Sequence, residues 1–287
     1  MLHFIITGGC GFIGSHLVER LIKTECSVTV IDDCRNGQHI VDSPFVNYII
    51  EDVCNVDLQI HNILNCDGII HLANTPRIRY SLEEPVESLL NNIDPTVFVT
   101  DWARKLNCPL FFAQSSSTIH SDDHLANPYT LGKIVSQEVL NLYAKHWGVK
   151  SHLMYFYNVY GPREADYGEY STVIRAFKKR VLSGESLRIF GTGLKTRDFT
   201  HVNDVIEGII RILFNGDRPK EIHLGAGYPH SILEIAEAFD HPIVYEFDQP
   251  GESQHTYCEK PYVRRTVDVI EYIKSWKKRT HNAETNS

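Results

Sequence analysis

The sequence of 287 residues has no apolar run near the roughly 20 residues that a membrane-crossing helix needs, so no membrane partner is expected. It has no basic excess either. Its 28 Lys and Arg stand against 36 Asp and Glu, a formal net charge of −8 that leaves no electrostatic footprint for nucleic acid. A phosphorylated ligand must then be held by locally placed cations. The N-terminus, MLHFIITGG, has no basic segment ahead of its apolar stretch and no small-residue cleavage site. A secretory leader is therefore not expected, and the reading places the chain in the cytoplasm. Its 7 cysteines are scattered, odd in number and without a C-x-x-C pair. A chain of this length buries a full core without staples, so reduced thiols are expected and no metal site is. Internal repeats and long linkers are absent as well.

What is present is an alternation. The runs LHFIIT, SVTVID, FVNYII, GIIHLA, PLFFAQ and KSHLMYFYNVY read as buried strands. Between them GFIGSHLVERLIK, VDLQIHNIL, EEPVESLLNNIDPTVFVTDWARKL and NPYTLGKIVSQEVLNLYAKHW carry apolar residues at helical spacing. Strand–helix alternation of this kind implies an α/β fold, a Rossmann-type doubly wound parallel sheet. After Tyr160 the polar junction GPREADYGEY leads into shorter, mixed elements, with helices at VIRAFKKRVLSG, DVIEGIIRILF and SILEIAEAF and strands at LRIFG and EIHLG. Residues 1–160 are read as a dinucleotide-binding domain, with 198–222 packing back onto it, and 161–287 as a smaller substrate-binding region. The polar tail from Lys277 is expected to fray.

The first strand runs into Gly8-Gly9-Cys10-Gly11-Phe12-Ile13-Gly14, a G-x-x-G-x-x-G loop opening a helix. Glycines let the backbone approach a pyrophosphate, whose charge sits at the helix N-terminus. Any tight strand-to-helix turn also favours glycine, so the stronger signal is Asp32, ending the second strand where a carboxylate can accept both adenosine ribose hydroxyls. That acid repels a 2′-phosphate and favours NAD over NADP, although Arg35 nearby keeps NADP open.

Tyr129 and Lys133 form a Y-x-x-x-K spacing on one face of a helix. A neighbouring ammonium favours phenolate, so Lys133 is expected to lower the Tyr129 pKa toward a useful range for a general base. The pattern is common by chance. It gains weight from the hydroxyl cluster Ser115-Ser116-Ser117-Thr118 at the C-terminal end of the fifth strand, where ligands bind in open parallel sheets.

With these motifs together, ITGGCGFIGSHL, HLAN, YTLGK, YNVYGPR and TRDFTHVNDV resemble, in order from residue 3 to about 260, the NAD-dependent epimerase/dehydratase family of sugar-nucleotide enzymes among the extended short-chain dehydrogenases. The resemblance implies that Gly8, Gly11 and Gly14, with Phe12 and Ile13, hold the NAD pyrophosphate and Asp32 the adenosine ribose. Asp52 and Val53 would sit at the adenine, Leu72 and Ala73 would line the cofactor, and Asn92 would lie under the strand ends. Tyr129 would be the catalytic base, Lys133 would bind the nicotinamide ribose, and Ser116 would hold the substrate oxygen. Asn158 resembles a sugar-nucleotide contact; Leu187, Ile189 and Phe190 resemble the base pocket, or ordinary core. Arg197 resembles the diphosphate arginine, and Glu252 the acid that follows a second one.

Family members share removal of the sugar 4-OH proton with passage of the C4 hydride to NAD, leaving a transient 4-keto sugar. The dehydratases then use an Asp and Glu following the catalytic hydroxyl, and the decarboxylases keep the Glu. Here Ser117 and Thr118 follow Ser116, and each missing acid or base forfeits about 10²–10⁴-fold. The resemblance therefore implies 4-epimerisation of a UDP-hexose, with an NAD(P)H-dependent 4-ketoreductase of a nucleotide deoxysugar as the alternative. Three departures from the family pattern stand out: a short segment from His120 to Pro128, Gln249 in place of an arginine, and Tyr155 in place of another. Arg163, Arg175 or Lys195 could compensate. Helices at 83–106 and 128–147 with broad apolar faces imply a homodimer by the same resemblance.

Overall fold

The computed structural model of the chain describes residues 1–120, 123, 125–164, 166, 171–216, 218–248 and 253–284. In chain order the first part runs β1 (His3–Thr7), α1 (Phe12–Ile22), β2 (Ser27–Asp32), β3 (Val46–Ile50), β4 (Gly68–His71), α2 (Ile78–Glu83), α3 (Pro85–Leu106), β5 (Leu110–Ser115), α4 (Ser117–His120), α5 (Pro128–Trp147), β6 (Ser151–Phe156) and β7 (Val159–Tyr160). The remainder is α6 (Val173–Leu182), β8 (Leu187–Phe190), β9 (Thr196–Asp198), β10 (Thr200–His201), α7 (Val202–Phe214), β11 (Glu221–Leu224), β12 (Pro229–Ser231), α8 (Ile232–Ala238), β13 (Ile243–Glu246), β14 (His255–Thr256) and α9 (Val269–Glu284).

Seven strands form one parallel sheet in the order β3-β2-β1-β4-β5-β6-β11. This is the Rossmann-type α/β fold. Its central strands are apolar on both faces because both faces are covered: Phe4, Ile6 and Val30 meet α1 and α7, while Ile5, Ile69 and Phe112 meet the α3–α5 side. The chain reverses strand order between β1 and β4, whose Phe4 pairs both Val28 and Gly68, and a crevice opens there at the carboxyl ends. A third core, built by Phe177, Leu187, Ile189, Ile235, Phe239 and Ile273, lies in the C-terminal part.

Three readings of the sequence need correction. VDLQIHNIL forms no helix. Asp57 accepts a hydrogen bond from the Gln59 backbone N–H, an Asx turn that competes with helical pairing, and Val56, Leu58 and Ile63 reach the core from turns while Ile60 and Leu64 face solvent. The tail does not fray at Lys277: α9 runs to Glu284, anchored by buried Val269 and Ile273 and by Trp276 against Phe239. Lys277 also bonds the Asp240 carboxylate at 3.1 Å. Finally, KSHLMYFYNVY is two strands, broken where Asn158 takes φ +21.

Candidate active site

One cavity of about 610 Å³ runs across the carboxyl ends of the sheet, from the α1 loop and Asp32 to the β8–β9 region. Its first wall is the glycine loop. Gly8 turns with φ +76, and a Cβ on Gly14 would sit 2.1 Å from the Gly8 carbonyl oxygen, so α1 can stand over β1 only without one. Gly11 differs. Its φ of −78 and ψ of −175 suit any residue, and a Cβ there would meet nothing in the chain nearer than 3.4 Å. The fold therefore makes no demand for glycine at 11, which faces the open cavity. No side chain caps the start of α1, whose first residues Phe12 and Ile13 face the same space. An uncapped helix N-terminus beside an open glycine is a built anion cradle, and a dinucleotide pyrophosphate fits it.

Asp32 accepts from the Cys10 and Cys34 backbone N–H groups, each at 2.8 Å, which ties the end of β2 to the glycine loop; burial raises its pKa. Arg35 pairs with Asp33 at 2.5 Å and with Asp52 at 3.1 Å. With that cation neutralised and Asp32 beside it, a 2′-phosphate would meet net negative charge, so this end suits NAD. Cys10, Asp32 and Cys34 bring ligand-type atoms within 4.8 Å of one another, the one such group among the described residues, but its carboxylate already serves the loop. Val53, Leu72 and Ala73 line the cavity, and Ala73 N–H donates to Thr7 Oγ1. Asn92 does not. It is fully buried between α3 and α5, bonded to the Ser88 and Thr75 carbonyls, and packs beneath Gly132.

Farther along, Ser115, Ser116, Ser117, Tyr129 and Lys133 converge on the cavity. The hydroxyl that acts on the Tyr129 phenol is that of Ser115, while Ser116 lies beside them on the same wall. Lys133 behaves otherwise than its spacing implies. Its Nζ donates to Asn74 Oδ1 at 2.5 Å and to the Ala113 carbonyl at 2.7 Å, above the Phe112 ring. Burial pushes its pKa down to about 7, and burial pushes the Tyr129 phenol up. The groups that pull the phenol the other way are the Ser115 hydroxyl and the Arg77 guanidinium, so the nearby positive charge comes from Arg77, not Lys133. Ser115 was read as one of the four hydroxyls after the fifth strand, but Asn74 and Arg77 were not singled out in the sequence; only their position just past a strand end could have marked them.

At the far end Asn158, Phe190 and Arg197 reach the cavity. Leu187 and Ile189 do not: strand alternation turns them into the third core and leaves Arg188 and Phe190 facing the cavity. Of the three compensating cations, only Lys195 lines the cavity, where it bonds Asp248 at 2.6 Å. Arg163 pairs with Glu19 and Arg175 with Asp166. Tyr155 is buried in β6, stacked on His223. Glu252 and Gln249 lie outside the described residues.

Two variants test this geometry. Gly11→Ala is expected to weaken NAD binding at least about tenfold in a titration while changing urea stability by about 1 kcal/mol or less; a variant that binds NAD normally contradicts the cradle. The second test concerns Lys133, whose ordinary pKa is 10.5. With a pKa near 7 in the fold, it binds fewer protons folded than unfolded between those values, so its burial penalises the fold most below pH 7 and progressively less above. In cofactor-stripped protein, wild-type stability minus that of Lys133→Met is expected to rise as pH climbs from 7 toward 10.5. A difference that stays flat across urea denaturations in that range refutes the buried-lysine reading.

Comparison with known proteins gives this arrangement its context. Residues 4–225 match the family model described as the NAD dependent epimerase/dehydratase family. A protein of Methanocaldococcus jannaschii provisionally named UDP-glucose 4-epimerase is 30% identical, with 87% of each chain covered. A UDP-N-acetyl-alpha-D-glucosaminuronate decarboxylase of Bacillus cytotoxicus is also 30% identical, over 81% of this chain and 78% of that one. In fold, the chain superposes on the UDP-glucose 4-epimerase of Thermotoga maritima, determined with UDP-glucose, with a TM-score of 0.87 and 23% identity, covering 97% of this chain and 99% of that one. NAD is the cofactor, and the conversion is of a nucleotide sugar. The chain belongs to the NAD-dependent epimerase/dehydratase family.

Proposed function

We propose that the protein is a UDP-sugar 4-epimerase. The observation that carries this reading is where the carboxylates of the cavity lie among the described residues. Asp32, Asp33 and Asp52 cluster at the ribose end, and Glu164 is held by the Gly161 N–H and the Thr172 hydroxyl. The two positions after Ser116 are Ser117, bonded to Ser115 and Thr130, and Thr118, bonded to the Ser115 carbonyl. Neither is an acid that could eliminate water or assist loss of a carboxylate, which leaves turnover of the keto sugar.

Tyr129 takes the proton of the sugar 4-hydroxyl, with the Ser115 and Ser116 hydroxyls holding that oxygen and Arg77 favouring the phenolate. Gly11, Phe12, Ile13 and Asp32 would hold NAD, which would supply the hydride acceptor and donor for C4 of the sugar. Lys133, fixed by Asn74, presents its ammonium to the nicotinamide ribose. Arg197 and Lys195 hold the diphosphate, Phe190 lies against the base, and Asn158, pushed into the cavity by its backbone turn, contacts the sugar nucleotide.

The test is proton NMR of the purified protein with UDP-glucose, UDP-galactose and UDP-N-acetylglucosamine, without added cofactor. Anomeric signals of the 4-epimer should appear from either side and reach one ratio, and Tyr129→Phe should slow this about 10²–10⁴-fold. Turnover only of a 4-keto substrate with supplied NAD(P)H would make the protein a ketoreductase instead. We also propose a homodimer formed through α3 and α5, which pack on each other and leave Val86, Leu90, Phe98, Leu142 and Trp147 exposed. Light scattering should give twice the chain mass of 32.8 kDa, and Leu90→Asp should give the monomer. A monomeric wild type ends that part of the proposal.

A further inference from the structure

At the end of the sheet away from the cavity, Cys66 precedes β4 and Cys108 precedes β5, two strands that pair in parallel with Ile69 opposite Leu110. Their sulfurs share a hydrogen bond at 3.2 Å although the residues are 42 positions apart in sequence. A disulfide needs about 2.05 Å, so a gap of roughly 1.2 Å separates the pair from a bond. The backbones on either side are already fixed. Asp67 N–H donates to the His3 carbonyl, Cys108 N–H to the Ala103 carbonyl, and Ile69 N–H to the Pro109 carbonyl. Cys66 is partly buried and Cys108 buried, which makes Cys66 the more accessible of the two from solvent.

We propose that Cys66 and Cys108 are a reversible disulfide site that staples the amino ends of β4 and β5. The oxidant is a small-molecule disulfide. The Cys66 thiolate attacks one of its sulfurs, forming a mixed disulfide and releasing one small thiolate. Cys108 then loses its proton and attacks the Cys66 sulfur, releasing the second small thiol. Two protein thiols are oxidised and one small disulfide is reduced to two thiols. The contact with Cys108 pulls the Cys66 thiol down in pKa while the same contact and burial push Cys108 up, which suits Cys66 as attacking group and Cys108 as the one that resolves. The closed loop contains β4, the cavity loop with Asn74 and Arg77, α2 and α3. Tying its ends removes freedom from the unfolded chain without touching the cavity, which lies at the opposite strand ends.

The full-length protein, treated with excess oxidised glutathione and compared with a dithiothreitol-treated sample, decides the matter. Its mass should fall by two hydrogens, with one crosslinked peptide containing Cys66 and Cys108, and its thermal midpoint should rise by about 4 °C or more. NAD content should be the same in both samples. Cys66→Ser should abolish the crosslink and the shift, and Cys108→Ser should stop at a glutathione adduct on Cys66. If either variant fails to fold, peptide mapping of the wild type is sufficient alone. Cys66 and Cys108 both still open to alkylation after oxidation, or a crosslink of Cys10 to Cys34 in their place, overturns the proposal.

Discussion

The substrate end of the cavity depends on one buried carboxylate. Asp198 is fully enclosed and accepts hydrogen bonds from the Ala226, Gly227 and Cys258 N–H groups and from the Thr200 hydroxyl. The backbone donors come from the turn after β11, the strand that completes the large sheet, and from the segment after β14, which pairs with β9 in a three-stranded sheet, while Thr200 stands on β10. Leaving such a charge without its donors would cost several kcal/mol, so all of these segments must assemble together. Arg197 is its neighbour on β9, and Lys195 lies one residue before that strand. Two cations that line the cavity are therefore placed by a carboxylate that does not itself line it.

Charge is sorted along the cavity by the same logic. The ribose end holds Asp32, Asp33 and Asp52 with a single neutralising Arg35, whereas the opposite end holds Arg188, Lys195 and Arg197 against Glu246 and Asp248. In the low-dielectric crevice between them, Lys133 is kept apart from both groups and surrounded by neutral acceptors, which is why burial dominates its titration. A net charge of −8 thus says little about the cavity: its cations are few and placed by ion pairs and hydrogen bonds, not by surface excess.

The sheet, the glycine loop, Asp32 and the Ser/Tyr/Lys group were legible because each follows from local pattern: apolar runs, glycine spacing, and residue types just past strand ends. What escaped depends on contacts distant in sequence. Helical spacing in VDLQIHNIL is genuine, but Asp57 offers the backbone a turn, and a segment with two exposed isoleucine and leucine side chains has little burial to oppose it. Helix α9 looked like a polar tail because its apolar stripe, Val269, Ile273 and Trp276, is only three residues wide and gains its stability from Phe239. Leu187 and Ile189 were read with Phe190 as one pocket, yet a strand cannot turn adjacent residues to one side. Lys133 lies one turn from Tyr129 on α5, but Asn74, 59 positions away, decides where its ammonium goes.

The hydroxyl cluster shows how one scaffold limits its own chemistry. Ser117 sits between Ser115 and Thr130, so a single side chain joins the end of β5 to the first turn of α5, the helix that carries Tyr129. A carboxylate at 117 would add an acid near the substrate but would lack the proton that a serine can donate in one direction while accepting in the other. Ser117 therefore couples the end of β5 to the helix that brings Tyr129 to the cavity. Placing an acid at 117 would change that link as well as the charge of the cavity wall, so neither is altered alone.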